Sequence, residues 1–180
     1  TELNNKLQEV DTEVFATYGM TETITHIAVR RINGLAKSND FTGLPNVKFT
    51  CDERGCLVID APTISEAKII TNDLVKLISP TSFEWLGRFD NVINSGGIKI
   101  YPEQIEEKLS LFIKLPFVIV SEEDKDLGER IVLVFENNDG HNTPNFSDAF
   151  KSIPKYERPK KIYTFSKFPF TETGKIKRDE

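Results

Sequence analysis

Between Arg88 and Asn91 the sequence changes the kind of structure it can encode. Upstream, from residue 44, the short runs "NVKFTC", "GCLVID" and "DLVKLIS" are separated by turns such as "DERG". Val47, Phe49 and Cys51 alternate with polar neighbours, the pattern of a half-buried antiparallel strand, and the all-β pattern runs to about Leu86. Downstream, "NVINSGGIKI" predicts two short strands around a Gly-Gly turn. Pro102 then opens a helix at its favoured first position, with Glu103, Glu106 and Glu107 near the positive end of the dipole and Ile105, Leu109 and Phe112 along one face. "FVIVS" and "RIVLVFE" read as strands joined by the charged turn "EEDKDLGE", "NFSDAFKSI" as a helix from near Asn145, and "KKIYTFS" as a last strand. A period that switches in this way excludes one uniform sheet or one helix bundle. The expected class is mixed α+β in two parts, 1–87 and 91–180, with the seam at 88–91.

The first part opens on Leu3, Leu7 and Val10, spaced as the stripe of a short amphipathic helix. "EVFATY" reads as a buried strand running into the Thr-rich loop "GMTETI". In an open α/β sheet such a loop, at a strand's carboxyl end, is where ligands bind. Residues 34–43 read as a polar loop, and 34–87 as a β-barrel-like unit.

Composition narrows the function. A net charge of −5 argues against nucleic acid, which wants a basic face. No apolar run reaches the roughly 18 residues of a membrane span, and the amino end lacks the features of a signal peptide. The sequence begins without Met, as a processed or truncated piece would. Cys51 and Cys56 read as reduced thiols of a cytoplasmic protein and offer too few ligands for zinc. Neither His26 nor His141 stands in a hydrolase relation to a Ser or Cys.

Five short features remain, and each has an ordinary explanation. In "YGMTE" a Gly after a strand lets amides approach an anion, Thr21 offers a hydroxyl to phosphate, and Glu22 offers a hard oxygen to Mg2+. The same letters also make a plain turn. In "TNDL", Asp73 is placed just ahead of a strand, where its carboxylate could take a ribose diol or simply break the chain. Arg88 and Asp90 could contact a nucleotide and serve as a hinge, or form a surface pair worth under about 1 kcal/mol. Gly96-Gly97 makes a hairpin turn or leaves room for something narrow. The tail "TETGKIKR" fails as a Walker loop, because Pro169 and Ile176 stand where Gly and Ser/Thr are needed. What is left there is Lys175, a lysine able to reach an anion, in a basic terminus.

The order "YGMTE", "TNDL", "GRFDNVINSGGIKIYPEQIE", "FPFTETGKIKR" resembles that of the AMP-forming acyl-CoA synthetases of the adenylate-forming superfamily, from about residue 7 to the end. The resemblance implies the end of a large adenylation domain, strand-helix piece plus β-barrel-like subdomain, followed by a small α+β carboxy-terminal domain. It implies ATP, Mg2+, coenzyme A and a small carboxylate as cofactors and partners. Tyr18 and Gly19 would sit against the nucleotide, Thr21 would bond the AMP phosphate, and Glu22 would hold Mg2+. Asp73 would take the ribose hydroxyls and Arg88 would contact the ribose. Asp90 would be the hinge, Gly97 would border the pantetheine channel, and Lys175 would bridge the substrate carboxylate and α-phosphate. Two departures stand out: Asn72 replaces the usual Gly before the ribose-binding Asp, and no Ser/Thr/Gly-rich phosphate loop ending in Pro-Lys occurs in these residues. The expected activity is therefore that of a longer enzyme, with these 180 residues alone inactive. A non-catalytic nucleotide or partner-binding module and a peptide-synthetase adenylation domain stay open as alternatives. Homo-oligomerisation is also left open.

Overall fold

A computed structural model describes residues 6–137, 144–172 and 176–178. The chain divides into two compact units, Thr1–Asp90 and Asn91–Glu180. Both are built from short strands whose alternation buries one face.

The first unit is one seven-stranded sheet. Its strands are β1 (Phe15–Gly19), β2 (His26–Arg31), β3 (Asp40–Gly43), β4 (Lys48–Cys51), β5 (Cys56–Asp60), β6 (Ile69–Ser79) and β7 (Ser82–Arg88). They lie in the order β1-β2-β3-β7-β6-β5-β4, and every neighbouring pair is antiparallel. The sheet curls on itself. A Cβ built on Gly43 of β3 would come within 2.9 Å of the Phe49 ring of β4, although three strands separate the two in the ladder. Phe83 sits at the centre of the enclosed core, edge-on to Phe49 and Tyr18 and stacked on Phe41, with ring centroids 4.8, 5.1 and 5.6 Å away. Ile27, Leu57, Ile59 and Val75 complete that core.

Several expectations need correction here. "EVFATY" is not a buried strand: β1 starts at Phe15, and its residues alternate between exposed and half-buried. It is the terminal strand of the sheet, with a neighbour on one side only. The loop that follows joins antiparallel partners and does not cap a parallel strand. The expected polar loop over 34–43 contains β3, because Phe41 is buried against Phe83. Asp73 does not precede its strand but lies inside β6, which begins at Ile69. Buried Thr71 and Asp73 find hydrogen-bond partners there, so polar letters do not break the strand.

The second unit contains β8 (Ile93–Ser95), β9 (Ile98–Ile100), α1 (Pro102–Leu109), β10 (Phe117–Asp124), β11 (Gly128–Glu136), α2 (Ser147–Lys151) and β12 (Lys161–Phe165). β10 flanks one edge of β11; β8 and β12 share the other, β8 antiparallel at Gly128 and β12 parallel from Val132 to Glu136. The charged segment after "FVIVS" continues β10 to Asp124, so the turn is shorter than the sequence suggests. Asn145 lies just ahead of α2, where its side chain accepts the Ser147 amide at 2.9 Å. α1 packs Ile105 and Leu109 on Ile119, Ile131, Leu133 and Phe135. Phe112 does not join them. The helix ends at Leu109, the 3.6-residue period lapses, and Ile113 takes the core place while Phe112 is half exposed. Among the described residues, no helix is long and apolar enough to cross a membrane.

Phe83→Ala should empty the centre of the first unit and cost about 3–5 kcal/mol. Denaturant unfolding followed by the fluorescence of Trp85, the sole tryptophan, measures this in the unit concerned.

Candidate functional site

The first unit gathers its charged site residues around the end of the β6–β7 hairpin. Asp73 and Arg88 are register partners across that hairpin, which contains two register shifts. Residues directly opposite put their side chains on the same face, and an Arg88 nitrogen lies 3.6 Å from Asp73 Oδ1. Tyr18 of β1 reaches the other carboxylate oxygen, and its hydroxyl donates to Asp73 Oδ2 at 2.5 Å. Asp73 is only 6% exposed. A buried carboxylate needs such partners, because desolvation otherwise outweighs any gain. Thr71, two residues back on the same face, accepts the Asp73 amide and donates to the Leu57 carbonyl.

The Tyr18 ring is fixed by Phe83 and Phe41. Burial, then the hydrogen bond to Asp73 and the charge of that carboxylate, push its hydroxyl far above the usual tyrosine range. Tyr18 therefore holds its proton more tightly than a free tyrosine and donates it to Asp73. Arg88 is half exposed, and its two ion contacts, to Asp73 and Asp90, are both 3.6 Å. That is longer than a hydrogen bond, so its fork can still donate to an incoming anion or hydroxyl.

Thr21 and Glu22 sit exposed on the 3-10 turn Thr21–Thr23. The residue that builds this turn is Thr23, fully buried, whose hydroxyl accepts the Met20 amide and lies within 2.9 Å of the Met20 and Thr25 carbonyls. Gly19 is glycine for a local reason. A Cβ there would meet the Thr25 carbonyl at 2.5 Å, where β1 and β2 shift register. His26 is exposed, its Nδ1 3.2 Å from Thr25 Oγ1; His141 lies outside the described residues.

Asp90 ends the first unit, and Asn91 begins the second. Asp90 accepts a long contact, 3.3 Å, from the Asn72 amide. In the second unit Gly96 and Gly97 form the β8–β9 turn with φ of 58° and 79°, the pair of positive angles that a tight hairpin demands. A Cβ on Gly97 would meet nothing within 4 Å, so the turn also borders open space. Lys175 lies outside the described residues. Beyond it, Arg178 donates to Glu106 Oε2 at 2.6 Å and to the Ile119 carbonyl at 2.8 Å. The structure thus brings Tyr18, Asp73, Arg88 and Asp90 together. Sequence reasoning missed Thr71, Thr23 and Arg54, the last of which holds Asn72 and the Thr71 carbonyl. Only the alternation Thr71-x-Asp73-x-Val75 in β6 could have signalled the first.

Known proteins resemble the chain over nearly its whole length. No protein-family model matches it. The 2-succinylbenzoate–CoA ligase of Lactococcus lactis is 27% identical over 99% of this chain, which covers 43% of that protein. The crystal structure of an acyl-CoA synthetase (AMP-forming)/AMP-acid ligase II-like protein from Dyadobacter fermentans matches with 35% identity and a TM-score of 0.52, over 99% of this chain and 53% of that one. The chain is similar throughout to AMP-forming acyl-CoA synthetases. Its fold is that of the carboxy-terminal part of such adenylate-forming enzymes. o-Succinylbenzoate CoA synthetase (MenE) from Bacillus subtilis superposes with a TM-score of 0.79 at 20% identity, over 99% of this chain and 43% of that one. The chain spans about half the length, or less, of these relatives.

Glu106 gives a pH signature. Burial raises its carboxyl above the ordinary value, against the opposing pull of Arg178 and of the Ile119 amide. The folded form then binds the proton more tightly than the unfolded form. The stabilising effect is complete below the unfolded value, about 4.3, and is lost as pH rises through the folded one. Glu106→Gln keeps an acceptor and removes the titration. In circular-dichroism denaturation, the stability of the parent relative to the variant should fall as pH rises through the folded value of Glu106.

Proposed function

We propose that these residues form the carboxy-terminal part of an ATP-dependent carboxylate–CoA ligase, with o-succinylbenzoate as its acid. The observation that carries the reading is the Tyr18–Asp73–Arg88 cluster, a buried and oriented carboxylate beside a half-exposed arginine. A nucleoside ribose offers two hydroxyls to such a carboxylate and further acceptors to such an arginine. The choice of acid rests on the Lactococcus lactis relative and on "YGMTETITHIA", whose wording resembles that of o-succinylbenzoate–CoA ligases.

In the first half-reaction a carboxylate oxygen attacks the α-phosphorus of ATP, and pyrophosphate leaves. Thr21 donates to the phosphate that becomes that of AMP, Asp73 fixes the ribose, and Lys175 offsets the charge of two anions forced together. In the second, the thiol sulfur of CoA attacks the acyl carbon, AMP leaves, and the thiol proton passes to solvent. A change of backbone angles at Asp90 lets the second unit offer Lys175 to the first step and the open edge of the Gly96–Gly97 turn to the pantetheine arm in the second.

Among the described residues no cluster of three or more His, Cys, Asp or Glu could hold a metal unaided. Mg2+ needs no such cluster, since it is commonly held by one or two carboxylates and the substrate phosphates. The exposed Glu22 carboxylate on the Thr21–Thr23 turn fits that donor set. Bound there with the nucleotide, the ion would neutralise phosphate charge.

The intact gene product should catalyse ATP–pyrophosphate exchange that depends on o-succinylbenzoate. Lys175→Ala should lower that exchange by about 100-fold or more, yet leave thioester formation from supplied acyl-adenylate within a few-fold. Asp73→Ala should weaken nucleotide binding in both steps. Nucleotide binding without exchange on any carboxylate would favour the non-catalytic module. A carrier protein accepted in place of CoA would favour a peptide-synthetase role.

A further inference from the structure

Arg54 sits in the β4–β5 turn, a place where sequence alone sees only "DERG". Its side chain is about two-fifths exposed, yet every guanidinium nitrogen is engaged. Nε donates to Asp52 Oδ2 at 2.9 Å, Nη1 to Asn72 Oδ1 at 2.9 Å and Nη2 to the Thr71 carbonyl at 3.1 Å. The guanidinium also lies over the Phe89 ring, 5.1 Å from its centroid. Asp52 is itself tied down by the Arg54 and Cys56 amides. The arginine is therefore a rigid post, fixed at its base and aimed at the residues that flank Asp90.

Asn72 passes the restraint on. A guanidinium can only donate and a carboxylate can only accept. The amide oxygen must therefore face Arg54, and the amide nitrogen must face Asp90 Oδ2, at 3.3 Å. Glycine, the usual residue at this place in the adenylate-forming superfamily, could not make that link. On the other side of the Asp90–Asn91 peptide, the Asn91 side chain donates to Glu103 Oε1 at the start of α1. Each of the two residues is thus tethered by its side chain to its own unit.

We propose that Arg54 and Asn72 are positioning residues that hold the Asp90 side of this pivot, through the relay Arg54–Asn72–Asp90 and the Arg54–Phe89 stack. Its role in catalysis rests on the ligase reading above. The relay is graded. Its inner contacts are charge-assisted and about 3 Å long, and its outer contact is the longest. Asp90 can let go while Arg54 and Asn72 stay in place to receive it again. The same relay grips the Thr71 carbonyl in β6, two residues from Asp73, so a change at the pivot bears on the strand that carries the nucleotide carboxylate.

Two independent measurements test this on the intact protein. The first needs no activity. The Arg88–Phe89 peptide is a trypsin site beneath the stack, and Arg54→Ala should speed cleavage there about fivefold relative to other basic sites. Arg54→Lys, which keeps the charge but loses the fork, should act in the same direction, and it covers the case in which the alanine variant folds poorly. Cleavage unchanged in both variants overturns the brace. The second compares o-succinylbenzoate-dependent pyrophosphate exchange with CoA thioester formation from supplied acyl-adenylate. Arg54→Ala and Asn72→Gly should each shift the ratio of the two rates by about fivefold, and the double variant should shift it no further, because both cut one relay. Equal loss of both rates, or additive shifts, overturns the positioning role. Absence of exchange in the parent protein counts against the ligase reading alone, because the trypsin result stands without it.

Discussion

The carboxylate of Asp73 is the constraint on which the first unit turns. It is almost out of contact with water, and a charge so placed is tolerated only where protein groups replace its hydration. Tyr18 and Arg88 do so for the carboxylate, Thr71 holds the Asp73 backbone amide, and each comes from a place the fold must deliver. Arg88 arrives by hairpin register: a slip of one residue would turn it to the other face. Thr71 arrives by strand alternation in β6. Tyr18 is the demanding case. β1 and β6 are separated in the sheet by β2, β3 and β7, so a tyrosine on the first can touch the sixth only because the sheet curls around its core. The rings that fill that core, Phe41 and Phe83, are the ones that aim the Tyr18 hydroxyl. Core and site are one object here.

That unity explains what could be read from the letters. Residue types were legible. A Tyr and Gly at the end of a strand, an Asp in "TNDL" and an Arg after "EWLG" name groups able to meet a nucleotide, and the order of the motifs pointed to a family. Position within elements was not. Asp73 reads as a turn residue because Asn-Asp usually breaks a strand. The hydroxyl of Thr71 and the phenol of Tyr18, which keep the strand going, come from two and 55 residues away. "DERG" reads as punctuation because a turn accounts for all four letters, and nothing local reveals that Arg54 reaches 18 residues on to Asn72. Phe112 was misplaced because a helical period was carried three residues past the helix end.

Glycine illustrates the same limit from the other side. Gly96-Gly97 was legible as a tight turn, and the φ angles bear that out. The same two letters could not say whether space lies beside the turn; the structure finds it beside Gly97 and not beside Gly96, whose Cβ would press on Leu127 at 3.2 Å. At Gly19 a reading in terms of anion approach is unnecessary to explain the residue, because the neighbouring strand already occupies the place of a side chain. The absence of a side chain records that something is close or that a torsion is unusual, and only coordinates say which.

The contacts of Asp73 and of Asp90 differ in kind. Inside, the Tyr18 bond is short and flanked by the Phe41 and Phe83 rings. Such a bond is costly to break. Outside, Arg88 and Asp90 meet at 3.6 Å in partial exposure, where an ion pair contributes little and water replaces either partner readily. On the proposed ligase reading, a site that held a nucleotide through two steps while its surroundings changed would need this division. The holding group belongs in the dry interior, and the groups that trade partners belong at the wet edge. β6 and β7 place both within a few residues of each other, so the rigid part and the yielding part share the same two strands.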